Sequence, residues 1–320
     1  MRLDAPATAM PSLSVVICTK DRPQELATCL RSVVAQTLAP CELVVVDAST
    51  VTDHAAVAEY RRAARDTTVS HVVARPGLPR QRNLGARLTH GDVVVFLDDD
   101  VVLEPDYLAA IALVFATDID GTIGGVGGAQ IPDPTPREGR IRRLATRIFL
   151  LGSYGHGIVK RSGRPEYLFA PEVRTEVELL SGCNMSYRRA VVDRFRFDER
   201  LGGYALGEDL RFSYRVSREW RLVLTPHARL EHRHRGGGRP EGDTYRAMAV
   251  LNRFLFFREE VARGPLDWLA YAWSCVGETL LIVRAPKERG LLGLLHGYGA
   301  ILRHLAHRDV MAADSRSRSR

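Results

Sequence analysis

The chain has 320 residues, 45% of them hydrophobic, enough for one large domain or two modest ones. Its formal net charge of +7 is carried almost wholly by arginine, since lysine stands only at positions 20, 160 and 287. Such a balance suits polyanionic partners, from nucleotide diphosphates to an anionic membrane surface; no basic stripe interleaved with aromatics points to nucleic acid, and none is expected.

Residues 1–10 read as a loose leader without a signal-peptide apolar core. A strand over Leu13–Cys18 stops at the polar turn Thr19-Lys20-Asp21-Arg22, and Pro23 suits the first turn of a helix. Leu26, Leu30, Val33 and Val34 carry that helix by their spacing. A second buried strand, Glu42 to Val46, ends at Asp47; a helix over 54–65 and a short strand over 71–74 follow. The segment 75–86, containing Arg80-Gln81-Arg82-Asn83, is a turn leading into a helix. Five apolar residues in a row, Val93 to Leu97, then read as a strand buried on both faces. Strand and helix alternate, so the first hundred residues predict a parallel, Rossmann-like half. No GxGxxG follows the first strand, which speaks against a dinucleotide.

Asp98, Asp99 and Asp100 follow the run Val93–Leu97 directly. Three carboxylates there repel one another and lose solvation at the sheet's edge. A hard divalent cation relieves both costs, and Mg²⁺ or Mn²⁺ keeps positions open for substrate phosphates. The triplet therefore predicts a metal–diphosphate site at the carboxyl end of a strand.

The second half is less regular. Gly121 to Ile131 is a glycine-rich stretch with strand character, and residues 140–151 form an amphipathic helix. Leu179 to Tyr187 carries Ser181-Gly182-Cys183-Asn184, and Gly207-Glu208-Asp209 opens a helix running to Val216. A basic loop, His232 to Gly238, precedes a helix over 243–260, and the remainder to about 308 is helical. The apolar stretch Trp268 to Gly277 is too short to span a bilayer, which needs ~20 residues. The tail Ser315–Arg320 has a disordered composition. Five scattered cysteines, at 18, 29, 41, 183 and 275, form no CxxC pair. They disfavour a disulfide framework or a zinc site and favour a reducing compartment.

The ordered set SVVICTKDRP, VVVDAST, RQRNLGA, GDVVVFLDDDVVLEPDYL, SGCNMSYRRA, GGYALGEDLRFSYRV and a downstream histidine resembles the inverting family 2 glycosyltransferases of GT-A fold, over roughly residues 12 to 260. The resemblance implies an α/β fold, a mixed, mostly parallel sheet flanked by helices, with a helical C-terminal extension. It implies transfer of a sugar from a nucleotide-diphospho-sugar to a hydroxyl of a glycan or lipid-linked acceptor, with Mn²⁺ or Mg²⁺, in polysaccharide, glycolipid or cell-envelope assembly. Thr19, Lys20 and Arg22 match the loop that meets the nucleotide, and Asp47 the carboxylate that holds base or ribose; Ala48 stands where a polar residue is common. Arg80 and Asn83 match the basic helix entrance. Asp98, with Asp99 beside it, matches the donor-contacting start of the DxD motif, and Asp100, with Asp98, its metal ligands. His232 or His234 matches a histidine that completes the metal site in some relatives, with His232 favoured. Asp209 matches the catalytic base and Glu208 a neighbour that positions the acceptor or tunes that base. Ser181, Gly182 and Asn184 match the donor–acceptor boundary.

The boundaries so implied are a flexible leader (1–10), a nucleotide-sugar half (11–102), an acceptor and catalytic half (103–242), a helical region (243–308) and a disordered basic tail (309–320). Two other readings compete. A nucleotidyltransferase would want a glycine- and lysine-rich loop after the first strand, where the chain has Thr19-Lys20-Asp21-Arg22. A catalytically inactive nucleotide- or glycan-binding module would not need both Asp100 and Asp209. The C-terminal helices, rich in Leu and Trp with Arg nearby, are candidates for peripheral docking on the inner face of the cell membrane or for packing against protein.

Overall fold

The computed structural model describes residues 9–64, 66–136, 138–201, 205–233, 242–284 and 290–317, with side chains as far as 306. They fall into two compact units. A sheet unit comprises 1–137, 154–158 and 165–235; a helical unit comprises 138–153, 159–164 and 236–320. The segments 138–153 and 159–164, assigned by sequence to the catalytic half, therefore belong with the helices.

The sheet unit opens with β1 (Leu13–Thr19), α1 (Pro23–Val34), β2 (Glu42–Asp47), α2 (Ala55–Ala63), β3 (Thr68–Val73), α3 (Leu78–Leu88) and β4 (Val93–Asp98). These match the predicted alternation, with β3 starting three residues before the predicted 71. Next come β5 (Val101–Leu103), α4 (Tyr107–Ala116) and β6 (Ile123–Gln130). After α5 (Arg140–Ile148), which belongs to the helical unit, three short strands follow, β7 (Ser153–Tyr154), β8 (Ile158–Val159) and β9 (Pro165–Tyr167), paired in the order β7-β9-β8. The sheet unit then closes with β10 (Thr175–Val177), β11 (Asn184–Arg188), α6 (Arg189–Arg194), α7 (Glu208–Val216) and β12 (Arg221–His232).

The main sheet has nine strands in the order β10-β12-β6-β11-β4-β1-β2-β3, with β5 added against β12. The run β4-β1-β2-β3 is parallel, as expected of strands separated by helices. β11 runs antiparallel between β4 and β6, and β10 and β5 run antiparallel to β12, so the sheet is mixed. All seven residues of β1 are buried. Their alternation sends Val15 and Ile17 to one face with Leu26, Leu30 and Val33 of α1, and Val16 and Cys18 to the other with Ala86 and Phe212. A strand buried on both faces reads as an unbroken apolar run, which is why β1, β2 and β4 are legible in the sequence.

Several elements of this unit were not read from sequence, α4 and β12 the longest of them. α4 is apolar nearly all round, with Tyr107, Leu108, Ile111, Ala112, Val114 and Phe115 buried, so it lacks a polar stripe to set its period. β12 is interrupted by register shifts, one of them between Thr225 and Arg229, and that irregularity breaks its alternation.

The helical unit holds α5, α8 (Gly242–Phe256), a π-helical turn (Phe257–Val261), α9 (Pro265–Arg284) and α10 (Leu291–Ser317). Phe257 stacks on Tyr271 with ring centroids 4.5 Å apart, and the buried Arg253 donates to Ser274 Oγ at 2.8 Å. Two expectations change here. α9 continues through Glu278, so at 20 residues and mean hydropathy 1.2 it is long and apolar enough to cross a membrane. The tail expected to be disordered from 309 is helical as far as Ser317.

Candidate active site

β4 carries its buried run up to the carboxyl edge of the sheet and leaves Asp98 there, half-buried, with Asp99 and Asp100 buried in the following turn. Asp99 turns toward β1. Its Oδ2 accepts from Thr19 Oγ1 at 2.7 Å, and Arg22 Nη1 lies 3.2 Å from Asp99 Oδ1. Burial pushes the Asp99 carboxyl up to about 7, against the pull of Thr19 and Arg22. The same Arg22 nitrogen reaches Asp100 Oδ2 at 3.2 Å.

β12 delivers the histidine. Its antiparallel register on β5 sets His232 opposite Val101, next in sequence to Asp100, and Arg233 N–H donates to the Asp100 carbonyl at 2.9 Å. His232 Nε2 is 3.0 Å from Asp100 Oδ1. Burial alone would lower the imidazole, but hydrogen bonds with Asp100 and Cys183 raise it to about 11. Asp98, Asp100 and His232 each offer a ligand atom, all within 4.8 Å of one another. Two carboxylates and an imidazole fit a divalent cation, with the proton on His232 given up on binding. His234 lies outside the described residues.

The Glu208-Asp209 pair stands on the first turn of α7. Gly207 caps that helix with φ +82°, a left-handed conformation that glycine adopts without strain. Carboxylates in the first turn are favoured by the helix dipole. Asp209 Oδ2 accepts from Gly182 N–H at 2.9 Å. Glu208 is buried, and its Oε2 has no partner among the described residues. Burial pushes its carboxyl up to about 8, although Arg82 beside it pulls the other way.

Arg82 joins the two acidic groups, and sequence reasoning missed it. It projects from α3, only 2% exposed, donates from Nη2 to Asp98 Oδ1 at 2.9 Å and to the Gly182 carbonyl at 2.8 Å, and pairs through Nη1 with Glu208. One guanidinium thus touches the acidic strand end, the 181–184 turn and α7. Its sequence signal is modest: Pro79, Arg82 and Ala86 share one helix face by their spacing, beside Gly85, and small residues mark a closely packed face.

The other predicted residues are distributed unevenly. Thr19 also accepts through its carbonyl from Gln81 Nε2 at 3.1 Å, so β1 and α3 meet behind the acidic turn. Lys20 is exposed just after β1. Gly182 is pinned between Asp209 and Arg82; a Cβ there would lie 3.2 Å from Asp209 Oδ2. Ser181 Oγ accepts from Gln130 Nε2 at 3.2 Å. Four of the predicted residues make structural contacts within the chain. Asn83 spends both ends of its amide on the Phe197 backbone, each at 2.9 Å. Arg80 is half-exposed and pairs with Glu199 at 3.4 Å. Asn184 Oδ1 accepts from Gly128 N–H at 2.9 Å and braces β11 against β6. Asp47 closes a turn on Ser49 N–H at 2.8 Å, and its other oxygen is 3.2 Å from His71 Nε2.

Known proteins share this architecture. The mannosyltransferase PcManGT of Pyrobaculum calidifontis, solved with GDP-Man and Mn²⁺, superposes with a TM-score of 0.55 at 18% identity, over 92% of this chain and 81% of that one. GalNAc-T7, solved with UDP, GalNAc and Mn²⁺, gives 0.55 at 18% identity over 84% of this chain and 55% of its own. At such identity the likeness establishes the fold. In sequence, the chain is 31% identical over 128 residues to the glucosyl-dolichyl phosphate glucuronosyltransferase of Haloferax volcanii, covering 39% of this chain and 40% of that protein. It is 24% identical over 266 residues to the O-antigen biosynthesis protein RfbC of Myxococcus xanthus, covering 79% of this chain and 20% of that protein. The chain therefore spans less than half the length of either relative. Residues 14–196, more than half of the chain, match the family model "Glycosyl transferase family 2", and the chain belongs to that family.

Proposed function

We propose that the chain transfers a sugar from a nucleotide-diphospho-sugar to a hydroxyl acceptor with inversion, with a divalent cation held by Asp98, Asp100 and His232 and with Asp209 as base. The observation that carries this reading is the contact set of Arg82, which gathers Asp98, Gly182 and Glu208 while Gly182 holds Asp209. The acidic strand end and the α7 carboxylates are thereby within one hydrogen-bonded cluster, which supports the reading that they serve a single displacement.

When bound, the cation offsets charge developing on the departing nucleotide diphosphate. The remaining steps belong to the chain. Gly182 N–H fixes one oxygen of Asp209, so that the second can take the acceptor's proton as that hydroxyl attacks the anomeric carbon. Glu208 keeps one oxygen on Arg82 and so helps to hold that guanidinium against Asp98 and the Gly182 carbonyl. Arg22, on Asp99 and Asp100, and Thr19, on Asp99, order the acidic turn and stand where a diphosphate would meet it. The acceptor is a glycan or lipid-linked glycan at the cytoplasmic face of the membrane, in cell-envelope or other polysaccharide assembly; dolichyl phosphate and O-antigen appear in the names of the two relatives in sequence.

The test is release of nucleotide diphosphate from a panel of nucleotide-sugars, with Mn²⁺ and with chelator, by the wild-type chain and by Asp209→Asn. The expected result is cation-dependent release that the variant loses while it still binds donor. Turnover by Asp209→Asn near the wild-type rate overturns the base assignment, and binding without any turnover by the wild type favours the inactive-module reading.

A further inference from the structure

The amphipathic helix α5 is placed the wrong way round for a soluble protein. Its apolar stripe, Ile141, Leu144 and Ile148, is 85%, 60% and 51% exposed, whereas Thr146 on the far side is buried. The stripe follows helical spacing, and a second one, Arg140, Arg143 and Arg147, runs beside it, also exposed. α9 repeats the pattern. Leu266, Leu269, Trp273, Val276, Leu280 and Val283 recur at alternating steps of three and four, and every one is exposed. The helices are joined directly: Trp273 Nε1 donates to the Ile148 carbonyl at 2.7 Å, and the Trp273 and Phe149 rings lie 4.9 Å apart. One apolar surface edged with arginine results, all of it within the helical unit.

We infer that α5 and α9 form a docking face for an anionic lipid bilayer and lie on it without crossing it. Charge complementarity selects that occupant. Three arginines beside a broad apolar strip that includes Trp273 match headgroups above acyl chains. A second protein helix packed along the α9 stripe in water would want charged residues flanking the seam. The flanks are uncharged along most of the helix, at Ala270, Ala272, Gly277 and Thr279, with a charge only at the end, Arg284. Crossing is opposed by the other side of α9, where Ser274 is held by the buried Arg253 and Glu278 pairs with Arg164. A spanning α9 would carry those charges into hydrocarbon.

The experiment is flotation of the full-length chain with vesicles of phosphatidylcholine alone and of phosphatidylcholine with phosphatidylglycerol, with tryptophan emission followed in parallel. The chain should float with the anionic vesicles, less so as salt is raised, with a blue shift from Trp273. Each of Arg140→Gln and Arg143→Gln should weaken partitioning about fivefold, from ~1 kcal/mol per arginine at an anionic surface. Ile141→Ser with Leu144→Ser should weaken it about tenfold or more. The replaced side chains are exposed, so melting temperatures should not move; should the double serine variant melt early, the two glutamine variants decide alone. Failure of the wild type to float with anionic vesicles, or glutamine variants that float like it, overturns the inference. So does a dimer by light scattering that the same serine substitutions dissociate, since a second copy would then own the face. None of these readouts depends on sugar transfer.

Discussion

Replacing Arg82 by methionine removes the cation that, among the described residues, pairs with Asp98 and Glu208 together, while retaining most of the side-chain volume. The guanidinium is 2% exposed, and above pH 8, where Glu208 is ionised, its loss leaves Glu208 buried without its ion-pair partner and the Gly182 carbonyl without its donor. Removing one partner of a buried pair costs about 3–5 kcal/mol, because the remaining charge is uncompensated. At roughly 2–4 °C per kcal/mol, the melting transition should fall by roughly 10 °C. Adding Glu208→Gln should return part of that loss, since the orphaned charge disappears with it; the two substitutions must then be non-additive. The assay is thermal and urea unfolding followed by circular dichroism for both singles and the double. A methionine variant within about 1 kcal/mol of wild type, or strictly additive singles, would refute the role of Arg82 as the central counter-ion.

Two further outcomes follow from the same geometry. Asn83→Ala should destabilise by about 2 kcal/mol, through two buried hydrogen bonds lost to Phe197, and leave donor affinity unchanged in a titration; a large loss of donor affinity with intact stability would restore it as a ligand residue. Glu208 has its carboxyl raised to about 8, so its contribution to stability is full below the ordinary glutamate value near 4.5 and is lost as pH climbs through 8. Glu208→Gln should therefore gain on wild type as pH rises from 5 to 8 in paired melts, by up to about 1.4 kcal/mol per pH unit; a constant difference would place the proton elsewhere.

The parts of the fold that the sequence discloses are those whose pattern is local. Val93 to Leu97 is an unbroken apolar run because β4 is covered on both faces, and the carboxylates after it announce the edge of the sheet. Gly207-Glu208-Asp209 is legible because a left-handed glycine and acidic first-turn residues are a helix start. Arg82 is hidden for the opposite reason. An arginine on a short helix ordinarily belongs to a solvated face, and its partners come from positions 98, 182 and 208, which only the tertiary fold assembles. Arg80 and Asn83 attract attention as neighbours in the same motif, yet one is half-exposed and the other is consumed by Phe197. His232 is fixed by the register of β12 on β5, a pairing between segments over a hundred residues apart. The exposed stripe of α5 is visible as amphipathicity, but which face meets solvent is decided by what packs on Thr146.

The central claim, that the acidic strand end and the α7 carboxylates serve one reaction centre, is tested most directly by anomalous diffraction from crystals grown with Mn²⁺ and a nucleoside diphosphate. A single manganese peak bonded to Asp100 and His232, bridging to the diphosphate on the side where Asp209 stands, is the predicted result. Manganese absent from that cluster, or a diphosphate bound away from Asp209, would contradict it.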